Sequence, residues 1–224
     1  MSTLMISKLI WKDLKLTGPL IVIFCVCGIA SVFIAIAGGD IPFYVGSVLL
    51  ACTLIISGVV AITVMVVGER KQSIFISTLS LPITYKDYVI AKLSSTLIFC
   101  VIPLLITWLL SAIFIFVSDK LPNGTFVLLT IFAMEMLASY CVLVAVVLTK
   151  PTDLVMGFAI GTHNIFINFF FFAMIRSEAI RETAKNSIVV WNTAAQIIVL
   201  VEILVAVAAI VFVFLAQSNK KDFV

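Results

Sequence analysis

An all-α integral membrane protein with six spans is the fold class this sequence predicts, and three observations predict it. Of the 224 residues, 63% are hydrophobic and only 11% are charged. Mean hydropathy is +1.31, outside the range of a soluble domain. A segment of about 20 mostly apolar residues is long enough to cross a hydrocarbon core. Such runs recur six times, at about 18–37, 42–67, 94–117, 125–148, 154–175 and 192–216. Between them stand strings that a helix in hydrocarbon would not choose, namely Gly38-Gly39-Asp40-Ile41-Pro42, Ser118-Asp119-Lys120-Leu121-Pro122-Asn123-Gly124 and Thr149-Lys150-Pro151-Thr152-Asp153. No stretch has the composition of a soluble domain, so residues 1–224 are read as one transmembrane unit.

The elements follow in chain order. In residues 1–17, Lys8, Lys12 and Lys15 recur at helical spacing while Met5, Ile6, Leu9, Ile10 and Leu14 gather on the other side of the wheel. This predicts an amphipathic helix lying in the membrane interface, with Trp11 at headgroup depth and Gly18-Pro19 turning the chain into the bilayer. A plain positively charged flank is the alternative. The first span begins near Gly18 and lacks the short core and small-residue cleavage site of a removable leader, so it is expected to stay.

Six spans place both termini on one side, and charge selects the side. Lys8, Lys12, Lys15, Arg70, Lys71, Lys86, Lys92, Lys150, Lys220 and Lys221 fall on one face, against Lys120, Arg176, Arg181 and Lys185 on the other. The positive-inside tendency then puts both termini and residues 68–92 in the cytoplasm. The net charge of +3 is accounted for by this asymmetry. No basic patch with interleaved aromatics suggests nucleic acid as a partner.

Residues 68–92, GERKQSIFISTLSLPITYKDYVIAK, are far longer than a connection between two spans requires, and half of them are apolar. A short helix over Lys71 to Ser80 is expected, with Ile74, Phe75, Leu79 and Leu81 supplying its apolar side. Pro82 restricts the residue before it and ends that helix near Ser80. Thr84 with Asp87 three residues on has capping-box spacing, so a second helix starts there and feeds the third span. An apolar-sided helix outside the bilayer must bury that side against headgroups, its own bundle or a partner protein.

The string Glu69-Arg70-Lys71, followed by Leu79-Ser80-Leu81-Pro82-Ile83-Thr84-Tyr85-Lys86-Asp87 and Lys92, resembles the pattern of ABC-2 type permeases, the membrane subunits of many ATP-binding-cassette exporters. Tyr85 and Lys86 stand where arginine is frequent in that family. The resemblance extends to the N-terminal interfacial helix, the six spans, the long second-to-third connection, and the polar segment Ile175 to Ser187, which is similar to the short outer-leaflet helices between spans five and six. It implies that the helix within 71–81 is a coupling helix seated on an ATPase subunit. Glu69, Arg70, Lys71, Phe75, Leu79, Leu81, Pro82, Lys86 and Asp87 would serve that contact. It further implies two copies of the ATPase, which hold ATP and Mg, and a second permease chain, identical or homologous. The chain's size, the want of a removable leader and the lysine-rich inner loops lead to the expectation of a bacterial cytoplasmic membrane. No G-x-x-x-x-G-K-[ST] phosphate loop occurs in this chain, so no cofactor is assigned to it.

Within the spans, ionisable side chains are costly and each needs a reason. Glu135 in span four and Glu202 in span six either contact a substrate and line its path, or serve as hydrogen-bonded glue between helices. Gly157 and Gly161 have G-x-x-x-G spacing, and Asn164 and Asn168 continue the stripe. Close helix packing with interhelical hydrogen bonds is one reading of it, and a path-lining role for the two asparagines is the other. Pro103 is expected to kink span three. The block Phe169 to Phe172 is read as lipid-facing or packing bulk. His163 has no metal-ligand partner at usable spacing, and Cys25, Cys27, Cys52, Cys100 and Cys141 all fall inside spans as small hydrophobes.

No nucleophile with a base, paired metal ligands or paired acids appears at usable spacing, so an enzyme is not expected. The sequence thus leads to the expectation of a permease subunit exporting an amphipathic or hydrophobic substrate such as a peptide, lipid or drug-like molecule. A secondary carrier, or a non-transporting regulatory or immunity membrane protein, is the alternative.

Overall fold

The computed structural model of the chain describes residues 2–37, 40–68, 85–118, 120–149 and 152–218. Among the described residues there are seven α-helices and no strand. We label them α1 (Ser2–Ile36), α2 (Asp40–Ile62), α3 (Tyr85–Val117), α4 (Thr125–Thr149), α5 (Asp153–Arg176), α6 (Glu178–Lys185) and α7 (Thr193–Ser218). All but α6 are long and apolar enough to cross a membrane, in the order and at nearly the positions that hydropathy predicts.

The first element differs from expectation. The turn at Gly18-Pro19 is absent, and α1 runs unbroken from Ser2 to Ile36 with Pro19 inside it. Proline removes one backbone hydrogen bond and crowds the preceding turn, but in an apolar bundle neighbouring helices and hydroxyl side chains re-satisfy the freed groups. Just before the proline, the buried Thr17 hydroxyl donates to the Asp13 carbonyl at 2.8 Å. The residues assigned to a separate interfacial helix are therefore the first turns of the first long helix. At its other end the Lys120 ammonium donates to the Ile36 carbonyl at 3.0 Å, a cation placed where the helix dipole and the unpaired carbonyls favour one.

Between helices in lipid the hydrophobic effect gives no drive to associate, so close backbone approach and interhelical hydrogen bonds take over. Gly46 of α2 lies so close to α1 that a Cβ there would meet the Ser31 carbonyl oxygen at 2.6 Å and strike the Ala35 backbone. α2 then widens into a π-helical turn over Thr63–Val67, where the Thr63 hydroxyl donates to the Val59 carbonyl at 2.8 Å.

The helix expected over 71–81, with Glu69, Arg70, Lys71, Phe75, Leu79, Leu81 and Pro82, lies outside the described residues, as does Thr84. α3 begins at Tyr85 with Asp87 in its first turn, where a negative charge complements the dipole. It continues through Pro103 to Val117.

α4 is the central helix: 67% of its apolar 18-residue stretch is buried, against 6% for α5 and 17% each for α1 and α7. Its Tyr140, fully buried, donates its hydroxyl to the Thr96 carbonyl of α3 at 2.9 Å, in a core that also contains Ile62, Tyr88, Phe99 and Val144. Thr152 caps α5, its hydroxyl oxygen accepting from the Val155 N–H at 3.3 Å.

The polar segment after α5 forms the short helix α6, tied to the start of α4 and to the N-cap of α7. Gly124 donates its N–H to the Asn186 carbonyl at 2.9 Å, and the Thr125 hydroxyl donates to the Ala184 carbonyl at 3.3 Å. Asn192 accepts from the Ala195 N–H at 2.8 Å, capping α7, and donates to the Ala179 carbonyl at 2.9 Å and the Thr183 hydroxyl at 2.8 Å.

Candidate functional site

α4 packs extensively against α7 and along part of α5, whereas α5 and α7 scarcely touch one another. The gap between those two helices, floored by α4, is a cavity of about 690 Å³. Its floor is one helical stripe of α4, running from Glu135 through Ala138, Ser139, Val142 and Leu143 to Val146. α7 contributes Ile198, Val201, Glu202 and Val205, and α5 contributes Leu154, Phe158, Thr162, His163 and Phe166. No lysine or arginine among the described residues lines it.

Three ionisable residues that stand far apart in sequence thus share one apolar space. Glu135 is 5% exposed and Glu202 is 4% exposed. Glu135 Oε1 and both Glu202 carboxyl oxygens have no hydrogen-bond partner among the described residues. A buried polar group without a partner is expensive. Such groups inside a membrane span mark a path, a ligand or a proton site more often than a structural one. Among the described residues no three His, Cys, Asp or Glu side chains cluster as metal ligands, so the cavity offers carboxyl acceptors and apolar walls.

The α5 stripe has a different setting. Gly157 and Gly161 are exposed and have nothing within 4 Å of a Cβ, so no described helix of this chain packs on them. The expected interhelical bonds of the asparagines are replaced by intrahelical ones. Asn164 donates to the Ile160 carbonyl at 2.9 Å and Asn168 to the Asn164 carbonyl at 2.8 Å. With no described helix packed on that face, the carbonyl four residues back is the acceptor in reach. Phe169, Phe171 and Phe172 are exposed, and Phe171 meets Phe132 of α4 edge-on with ring centres 5.6 Å apart. The five cysteines are free, with Cys100 and Cys141 buried.

Of the residues assigned to ATPase coupling, only Lys86 and Asp87 are described, the first exposed and the second half-buried in the opening turn of α3. Two turns on is a feature that sequence reasoning missed. Lys92 Nζ lies 2.8 Å from Asp13 Oδ2, and the two side chains are 4% and 3% exposed. Ser95 donates its hydroxyl to the same oxygen at 3.1 Å. A buried acid, base and hydroxyl thereby lock α1 to α3 immediately beyond the 69–84 connection. The signal was present, since Asp13 is the lone acid of an N-terminal stretch otherwise charged by lysine.

Residues 8–218 match the family model described as ABC-2 family transporter protein. No curated protein and no solved structure matches the chain.

Proposed function

The chain belongs to the ABC-2 transporter family, and we propose that it is the membrane-spanning permease subunit of an ATP-driven exporter, with both termini cytoplasmic. The observation that carries this reading is that one family match spans all six apolar helices. Energy enters from a separate ATPase, because the sequence has no phosphate loop. Residues 68–92 are the handle on which that ATPase acts. Its closure is passed to α3, and through the Asp13–Lys92 pair to α1, so that two helices move as one body.

A complete path needs a second permease chain. The faces of α1, α5 and α7 that no described residue covers, and the Gly157 and Gly161 stripe in particular, leave room for one. Small residues on such a face let two backbones approach closely. The cargo is amphipathic or hydrophobic, and Glu135, Asn164, Asn168 and Glu202 are its candidate polar contacts.

Co-purification tests the reading. The tagged chain is isolated from its native membrane and probed for an ATPase subunit, then again as the Leu79→Asp, Leu81→Asp double variant. The proposal expects the ATPase with the parent and its loss from the variant. A folded parent that brings no ATPase refutes it.

A further inference from the structure

We propose that the cavity between α4, α5 and α7 binds one lipophilic cation, a molecule with a single positive charge on an apolar body. As the identity of cargo this rests on the exporter reading, while the binding itself is a property of the chain alone.

Charge supplies the first argument. Glu135 and Glu202 present three buried carboxyl oxygens without a hydrogen-bond partner among the described residues, and no described lysine or arginine lines the cavity. Two carboxyls in one apolar space are poorly solvated and, when ionised, repel each other, and one cation between them relieves both effects. Size supplies the second. About 690 Å³ is the volume of a site for a drug-sized organic molecule, far more than an inorganic ion needs, and an ion would find no cluster of three ligands among the described residues. Access supplies the third. Leu154 and Phe158, at 81% and 75% exposed, stand at the opening of the cavity. An entrance of exposed apolar side chains on a helix of membrane-spanning length admits ligand from the hydrocarbon, where a lipophilic cation partitions and a hydrophilic one does not.

The test uses the chain in phosphatidylcholine nanodiscs, without ATPase, titrated with tetraphenylphosphonium. Tetraphenylborate, of the same shape and opposite charge, is the comparison. Saturable phosphonium binding is expected, with no matching site for the borate. Glu135→Gln and Glu202→Gln should each weaken it by about 30-fold or more, the usual scale for removing one partner of a desolvated charge contact. Val201→Trp, which keeps both carboxyls but fills the space, should weaken it too. Ser47→Ala should leave it unchanged, since that exposed α2 hydroxyl is bonded to its own helix. The proposal is overturned by phosphonium binding no greater than that of empty discs, by equal affinity for the borate, or by glutamine variants that bind like the parent. Should the glutamine variants not fold, the borate comparison and Val201→Trp decide. No phosphonium site in a chain that still co-purifies with its ATPase removes this ligand and keeps the exporter. A site in a chain with no ATPase does the reverse.

Discussion

The buried ion pair between α1 and α3 makes the sharpest prediction. Asp13 and Lys92 meet at 2.8 Å, their side chains 3% and 4% exposed, with the Ser95 hydroxyl at 3.1 Å as a third member. Removing one partner takes from the other buried charge its nearest counter-charge, which costs about 3–5 kcal/mol for a buried pair, with Lys12 Nζ at 3.7 Å from Asp13 Oδ1 as a weaker, half-exposed neighbour. Removing both with apolar residues of similar volume strands neither, and is often neutral or stabilising. Asp13→Leu and Lys92→Met should therefore each lose about 3–5 kcal/mol, while the double variant returns to within about 1 kcal/mol of the parent. The small remainder reflects Lys92 also lying 5.9 Å from the centre of the Tyr88 ring, a cation–π contact worth about 0.5–1 kcal/mol that the methionine does not restore. Reversible unfolding in mixed micelles, followed by far-ultraviolet circular dichroism, measures all four corners of the cycle. Single variants losing under about 1 kcal/mol, as for an exposed pair, would refute the reasoning, as would a double variant whose loss equals the sum of the singles.

Other perturbations are read by the same unfolding assay. Gly46→Val should lose about 2 kcal/mol or more, because its side chain would strike the α1 backbone rather than a movable side chain. Gly124→Ala should cost about 1–3 kcal/mol, since a Cβ there meets the Thr183 and Asn186 carbonyl oxygens. Asn192→Ala removes the α7 cap and two bonds to α6, and should cost about 1–2 kcal/mol.

The spans were legible because a run of about 20 apolar residues has few other uses, and α3 beginning at Tyr85 followed from turn chemistry around Pro82 and Thr84. The Gly18-Pro19 reading failed for a definite reason. Rules for proline in water-soluble helices make it a helix breaker, whereas a membrane-spanning helix tolerates one, and α1 continues through Pro19. Glu135 and Glu202 were visible as costly residues, but their shared cavity depends on how α5 and α7 flank α4, which no spacing along the chain encodes. The Asp13–Lys92 pair joins residues 79 positions apart, so Asp13 was legible as a lone acid among lysines but its partner was not. The α5 glycine spacing was readable as a small-residue stripe, yet only the packing shows that no described helix of this chain covers it.

Hydrogen–deuterium exchange on the permease–ATPase complex, compared without nucleotide and with ATP bound to a hydrolysis-deficient ATPase, tests the central claim most directly. If the ATPase drives this chain through residues 68–92, amides of that segment and of the first turns of α3 should change protection when ATP binds. The change should continue into α1 around Asp13 and diminish in the Asp13→Leu, Lys92→Met double variant. Identical exchange in both nucleotide states, from a complex whose ATPase demonstrably binds ATP, would contradict that claim.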